Sequence, residues 1–183
     1  SESTQVPERV PRKAPCSVLS VPPDAPDQIR RILVPMDFSP YSSEALDVAI
    51  AFARGAGAEL TLLHAFTLPW GEAKAKTTRP EIVTEFQKLH EARLQQLVAG
   101  VDTRGVPVNF HVTESESTPD AVNAAVTEAD HQLVVIGCRG RHAIYATLLG
   151  STAEAILHGC PVPVVAVKSK LEARGVLAAL RGN

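Results

Sequence analysis

Short apolar runs alternate with helical patterns along most of this chain, and this alternation constrains the fold more than any other feature. The apolar runs begin near residues 32, 60, 106, 133 and 162. Between them, apolar side chains recur at helical spacing, as at Ala45, Leu46, Ala49 and Ile50. Strands that alternate with helices form a parallel sheet with right-handed crossovers and helices on both faces. The sequence therefore predicts a Rossmann-like α/β fold with an open five-stranded parallel sheet.

The ends of the predicted helices follow from capping residues. The first helix is expected over residues 39–57, where Ser-Pro opens it and Gly-Ala-Gly closes it. A long helix after Pro80 is expected to place Leu89 on its apolar face. Residues 118–120 are expected to cap a third helix, and the S-x-x-E spacing from Ser151 predicts a capping box for a fourth.

Domain organisation follows from where these patterns start and stop. The chain has 183 residues, a length typical of one domain. Residues 1–28 contain six prolines and no periodic pattern, so they are expected to form an extended or disordered arm. Residues 29–169 form the predicted domain, and residues 170–183 are a C-terminal extension with room for a further helix.

Composition excludes several classes of protein. The net charge of −2 argues against a dedicated nucleic-acid binder, and no apolar run reaches the length of a membrane span. Cys16, Cys138 and Cys160 contain no C-x-x-C pair and form no disulfide framework. With no basic secretory segment at the N-terminus, a reducing, cytoplasmic location is expected.

A glycine-rich segment follows the fourth apolar run. It reads Gly137-Cys-Arg-Gly140, then nine residues, then Gly150-Ser-Thr at a predicted helix start. Glycines let a backbone approach a ligand closely, and a helix N-terminus attracts anions. Arg139 adds positive charge. The pattern predicts a cradle for phosphates; the alternative is that the glycines serve only loop geometry and a helix cap.

Other motifs of nucleotide and hydrolase sites are absent from the sequence. G-x-x-x-x-G-K-[ST], G-x-G-x-x-G and G-x-S-x-G do not occur. The spacing of Cys138, His142, His158 and Cys160 matches no standard zinc pattern. No catalytic residue and no metal ligand is therefore predicted.

GCRGR, followed by LLGSTAEAIL and CPVPVVAVK, resembles the signature of the universal stress protein family. The opening ILVPMDFSPYSSEALDVAIAFA resembles that family's first β-α-β unit, and the resemblance covers about residues 29–169. All three glycines are present, as in the ATP-binding branch. We therefore predict the strand order 3-2-1-4-5 and an adenine nucleotide, ATP, with Mg²⁺ held through its phosphates. The implied function is stress-response regulation by nucleotide occupancy.

The positions that match the family's ligand contacts follow strands one, two and four of the predicted sheet. They are Pro35, Asp37, Ala65, Ile136, Gly137, Arg139, Gly140, Gly150, Ser151 and Thr152. The resemblance implies that those up to Gly137 line the adenine and ribose pocket and that the glycines and hydroxyls after it cradle the phosphates. Asp37 has an alternative role as a cap of the following helix. Cys138 is either a redox-sensitive residue beside the site or a small packing residue.

The resemblance also implies a homodimer with residues 162–167 at its interface. Two other classes of function stay open: a slow ATPase or adenylating enzyme, and an interaction module with an empty site. An adenylating enzyme is expected to carry a Ser-Gly-Gly loop after strand one, where this chain has MDFSP. No general base is evident beside the predicted cradle, so any ATP hydrolysis is expected to be slow.

Overall fold

The computed structural model describes residues 14, 16–69, 81–138 and 149–169. Within these ranges the strands are β1 (Val18–Ser20), β2 (Arg31–Pro35), β3 (Glu59–Phe66), β4 (Val108–Glu114), β5 (Leu133–Gly137) and β6 (Val164–Val167). The helices are α1 (Pro40–Ala56), α2 (Glu81–Ala99), α3 (Thr118–Glu128) and α4 (Ser151–Gly159). Among these helices, none combines the length and the apolar character that a bilayer crossing requires.

The strands form one sheet in the order β1-β6-β5-β2-β3-β4. The five strands from β2 to β6 pair in parallel, and their order is the predicted one. The number of strands is corrected, because β1 adds a sixth that pairs antiparallel with β6. This strand lies inside the proline-rich stretch 1–28, where the sequence shows no strand pattern.

Side chains of the central strand alternate between two cores, one on each face of the sheet. Ile32 and Val34 pack into a core with α1 and α2, whereas Leu33 packs into a core with α3 and α4. All three side chains are fully buried. Burial of such a side chain contributes about 1.5–3 kcal/mol, so this central strand supports both layers of helices.

Both ends of α1 are confirmed. The hydroxyl of Ser39 accepts from the backbone N–H of Ser42 over 3.2 Å, and Pro40 stands at the first helical position. Gly57 ends the helix in the left-handed conformation, with φ of 67°. A residue without Cβ adopts this conformation at no steric cost.

Three expectations about helix patterning are wrong. Ser117, not the segment 118–120, caps α3, and its side chain accepts from the Asp120 N–H over 3.3 Å. Gly150 stands at the N-cap of α4, so Ser151 lies one position inside the helix and forms no capping box. Leu89 of α2 is 64% exposed instead of facing the core. Pro80 and residues 170–183 lie outside the described residues.

The segment between β1 and β2 is held at its C-terminal end. The Gln132 side-chain oxygen Oε1 accepts from the backbone N–H of Arg30 over 3.0 Å and from that of Arg31 over 2.9 Å. Ile29 packs against the core beside α1. These contacts hold the start of β2 next to β5. The loop toward the candidate site follows β5.

Candidate functional site

The carboxyl ends of three neighbouring parallel strands meet at one edge of the sheet. Pro35 ends β2, Ala65 lies one residue before the end of β3, and Ile136 lies one residue before the end of β5. The chain continues from β2 to β3 on one side, and β5 adjoins β2 on the other. Strand order therefore reverses between β2 and β5, the place where open α/β sheets bind ligands.

A backbone hydrogen bond brings the two described ends of the glycine segment together. The N–H of Cys138 donates to the Val167 carbonyl over 2.9 Å, and the Cys138 carbonyl accepts from the Gly150 N–H over 2.8 Å. Gly150 is thereby held against the end of β5, close to Gly137. Arg139 and Gly140 lie outside the described residues.

The N-terminus of α4 begins at this junction. Its N-cap, Gly150, has φ of −66° and ψ of 146° and makes no side-chain cap hydrogen bond. Ser151 and Thr152 are exposed in the first turn. Because a glycine cap has no side-chain acceptor, first-turn N–H groups are left for other partners, and the positive end of the helix dipole favours an anion there.

Gly137 also has a structural role. A Cβ built on Gly137 would lie 2.7 Å from the carbonyl oxygen of Tyr41 and 2.8 Å from its carbonyl carbon. The missing side chain therefore lets the first turn of α1 pack against the end of β5.

Asp37 supports the start of α1. Its Oδ1 accepts from the backbone N–H of Ser39 over 3.0 Å, which fits the local capping alternative. A contact between this carboxylate and a ribose or amino group stays a prediction; a carboxylate can accept several hydrogen bonds.

The loop after β2 contains a feature that sequence analysis missed. Phe38 has φ of 63°, an uncommon conformation for a residue with a bulky side chain. The Arg93 guanidinium of α2 lies 4.0 Å from the Phe38 ring centroid. The His64 ring lies 4.6 Å away on β3, and its Nδ1 is 2.6 Å from the Met36 carbonyl oxygen. No local pattern signals this cluster, because it is assembled from three separate elements.

Cys138 is a packing residue in this structure. It is 5% exposed and belongs to the core that includes Leu33, α3 and α4. Among the residues that the structure describes, no three His, Cys, Asp or Glu side chains come together in a way that could hold a metal ion.

Comparison with known proteins identifies relatives over most of the chain. The model of the universal stress protein family matches residues 28–168. A universal stress protein of Mycobacterium tuberculosis is 32% identical over 163 residues, which cover 86% of this chain and 53% of the relative. A universal stress protein A homolog of Coxiella burnetii is 30% identical over 154 residues, with 79% of this chain and 98% of the relative covered. The chain thus spans about half the length of the mycobacterial relative.

Solved structures share the fold at lower sequence identity. A universal stress protein from Lactobacillus plantarum has a TM-score of 0.58 at 19% identity, with 78% of this chain and 99% of that chain covered. A universal stress protein in complex with cAMP has a TM-score of 0.50 at 23% identity, with 77% and 98% covered.

Strand order and the helix N-terminus at the switch point define the class of this molecule, a doubly wound α/β protein. The match over residues 28–168 then identifies its kind: the chain belongs to the universal stress protein family.

Proposed function

We propose that this chain binds an adenine nucleotide, ATP, and regulates stress responses through occupancy of that site. The observation that carries the proposal is the 2.8 Å hydrogen bond from the Gly150 N–H to the Cys138 carbonyl. It holds the N-terminus of α4 beside the carboxyl end of β5, at the switch point of the sheet.

The chemistry of this helix end suits phosphate groups. The glycine N-cap leaves first-turn N–H groups without a side-chain acceptor, and the helix dipole adds partial positive charge. The exposed hydroxyls of Ser151 and Thr152 are donors for phosphate oxygens. Arg139 and Gly140 complete the proposed cradle from the segment between the two described ends.

The adenosine part is proposed to lie along the strand ends. Pro35 of β2 lies between Ala65 of β3 and Ile136 of β5 at the same edge of the sheet. The missing Cβ of Gly137 faces Tyr41, so the contact proposed between Gly137 and the ribose is through the Gly137 backbone. Asp37 is the proposed acceptor for a ribose hydroxyl or amino group. The solved relative in complex with cAMP supports an adenine nucleotide as the class of ligand.

Mg²⁺ is proposed to bind through the phosphates, because hard cations are commonly held by phosphate oxygens together with water. When bound, it would neutralise phosphate charge. The described residues supply no cluster of His, Cys, Asp and Glu for a metal. The proposed activity is binding, with at most slow hydrolysis of ATP.

The remaining parts of the proposal concern assembly and location. Because β1 occupies the outer edge of β6 in this structure, the homodimer through residues 162–167 is proposed for a chain whose β1 has left that edge. A cytoplasmic location is proposed because Cys16, Cys138 and Cys160 form no disulfide bond.

Native mass spectrometry of the purified, unheated protein tests the proposal against its two rivals. Bound ATP, or another adenine nucleotide, is the expected result. Pyrophosphate release on incubation with ATP would favour an adenylating enzyme. A chain that carries no nucleotide and takes none up from added ATP would overturn the proposal in favour of an interaction module.

A further inference from the structure

The strand β1 covers the outer edge of β6. Val18 stands opposite Ala166, Leu19 opposite Val165, and Ser20 opposite Val164. The Lys168 backbone N–H donates to the Ser17 hydroxyl oxygen over 3.1 Å, and the Lys168 ammonium donates to the carbonyl of Ala14. All four residues of β6 are buried in this arrangement.

Hydrogen bonds on the other side of β6 show which of its groups point outward. The Pro163 carbonyl accepts from the N–H of Val134 in β5, and the Val167 carbonyl accepts from the N–H of Cys138, just after β5, each over 2.9 Å. Because strand backbone groups alternate in direction, Val164 and Ala166 turn their N–H and C=O groups toward β1. Without β1, the N–H and C=O groups of Val164 and Ala166 would be unpaired along this edge, which is a template for pairing with another chain.

The sequence of β1 matches what a second copy of β6 would bring to this edge. An antiparallel pair of β6 strands, with a twofold axis at Val165, places Val164 opposite Ala166 and Val165 opposite Val165. In the structure, Val18 and Leu19 stand at those two places. Ser20 stands opposite Val164, where the paired second copy would place its Ala166. β1 therefore presents Val-Leu-Ser where a second copy would present Val-Val-Ala, residues of closely similar size.

We propose that β1 is an intramolecular cap that imitates the β6 strand of a second copy and thereby blocks self-association through this edge. The linker, residues 21–30, tethers the cap to β2. A short tether gives an effective concentration of about millimolar, so a second copy at micromolar concentration competes poorly.

Few contacts hold β1 on the edge of β6. It pairs over three residues, and Leu19 is 55% exposed and Val21 54% exposed, so little apolar surface holds it in place. Val18, Leu19 and Ser20 belong to neither of the two cores, so their release removes no side chain from those cores. A partner or condition that withdraws residues 14–20 would expose the β6 edge and allow two copies to pair.

Light scattering on matched deletions tests this inference. Deletion of residues 1–20 removes the cap, whereas deletion of residues 1–13 retains it. The full chain, of 19.5 kDa, and the shorter deletion are expected to be monomers at micromolar concentration. The longer deletion is expected to have about twice the monomer mass. A monomeric longer deletion would overturn the proposal, as would a full chain that dimerises as strongly as that deletion.

A variant of the full chain covers the case in which the longer deletion does not fold. Val18 directs its N–H toward β6, so Val18→Pro removes a cap hydrogen bond, while Leu19→Pro alters an N–H that points away. Val18→Pro is expected to dimerise and Leu19→Pro to stay monomeric; equal masses would contradict the inference.

An excess of a peptide of residues 14–21 is expected to convert the dimer of the chain that lacks residues 1–20 into monomer. The same peptide with Val18→Pro is expected to leave that dimer intact. A dimer indifferent to both peptides would show that another surface pairs. A full chain that is dimeric and dissociates on deletion would mean that β1 is exchanged between copies, which also contradicts the proposal. Nucleotide binding is read separately, so failure of one proposal leaves the other testable.

Discussion

The backbone N–H of Gly150 donates a hydrogen bond to the carbonyl oxygen of Cys138 over 2.8 Å. The bond fixes the start of α4 to the end of β5 through backbone atoms, so the geometry of this helix end does not depend on a side chain of the loop between them. It also removes the Gly150 N–H from the set available to a ligand. The proposed phosphate contacts therefore fall on the first turn, from Ser151 onward.

Ser151→Ala should weaken ATP binding about tenfold or more. A hydrogen bond to a charged acceptor contributes about 1.5–3 kcal/mol, and 1.4 kcal/mol is one decade of affinity. Because Gly150 is the N-cap, the substitution removes no helix cap. Thr118→Ala, at the same position of α3, is the matched control. Calorimetric titration should show adenosine affinity unchanged in both variants; equal weakening of ATP and adenosine by Ser151→Ala would instead indicate a loosened loop.

Gly137→Ala should destabilise the fold by about 1–3 kcal/mol, the usual cost of forcing extra volume into a packed site. Its Cβ would lie 2.7 Å from the Tyr41 carbonyl oxygen, so α1 or β5 must shift. Gly55→Ala, inside α1 with no atom within 4 Å of the new Cβ, is the control and should stabilise by about 0.5–1 kcal/mol. Urea unfolding measures both; a neutral Gly137→Ala would show that the helix moves without cost.

Acid should destabilise the protein through His131. Burial lowers the pKa of His131 below its ordinary value of 6.5, against the raising effect of its bond to the Ala125 carbonyl, 3.0 Å from Nδ1. Below about pH 6.5 the unfolded chain takes up a proton that the folded chain excludes. The free energy of unfolding then falls, by at most about 1.4 kcal/mol per pH unit, until the folded pKa is reached.

The measurement for His131 is urea unfolding from pH 7.5 to 5. His131→Gln should reduce the pH dependence of the free energy of unfolding. An identical pH slope in the wild-type chain and His131→Gln would contradict this account.

The three thiols should react with a neutral thiol reagent at separate rates. Cys16 is exposed and should react first. Burial raises the pKa of the Cys160 thiol, so less thiolate is present at neutral pH and its reaction should accelerate only at higher pH. Cys138, 5% exposed, should react only on unfolding. Mass spectrometry of labelled peptides assigns each rate; rapid labelling of Cys138 in the folded chain would restore its redox alternative.

The parallel sheet could be predicted because its strands carry their own signals. Ile32, Leu33 and Val34 form a fully buried run, a pattern typical of a strand covered on both faces. Ser39 and Gly57 fixed the ends of α1 by local capping chemistry. These features depend on sequence neighbours, so no tertiary information was required.

The features that were missed depend on distant partners. β1 pairs over three residues with a strand nearly 150 positions away, and its exposed Leu19 gives no burial pattern. The S-x-x-E spacing at Ser151 predicted a cap, but the N-cap is Gly150, whose N–H bonds to the carbonyl of Cys138, a residue outside the local pattern. Leu89 fits helical spacing, yet only a narrow stripe of α2 packs on the sheet.

The central claim is that the N-terminus of α4 binds phosphate, and parallel calorimetric titrations of the nucleotide-free full chain with ATP and with adenosine test it most directly. The account predicts one site per chain and an affinity for ATP at least about tenfold above that for adenosine, a difference of about 1.4 kcal/mol. Equal affinities, or no binding of ATP, would contradict it.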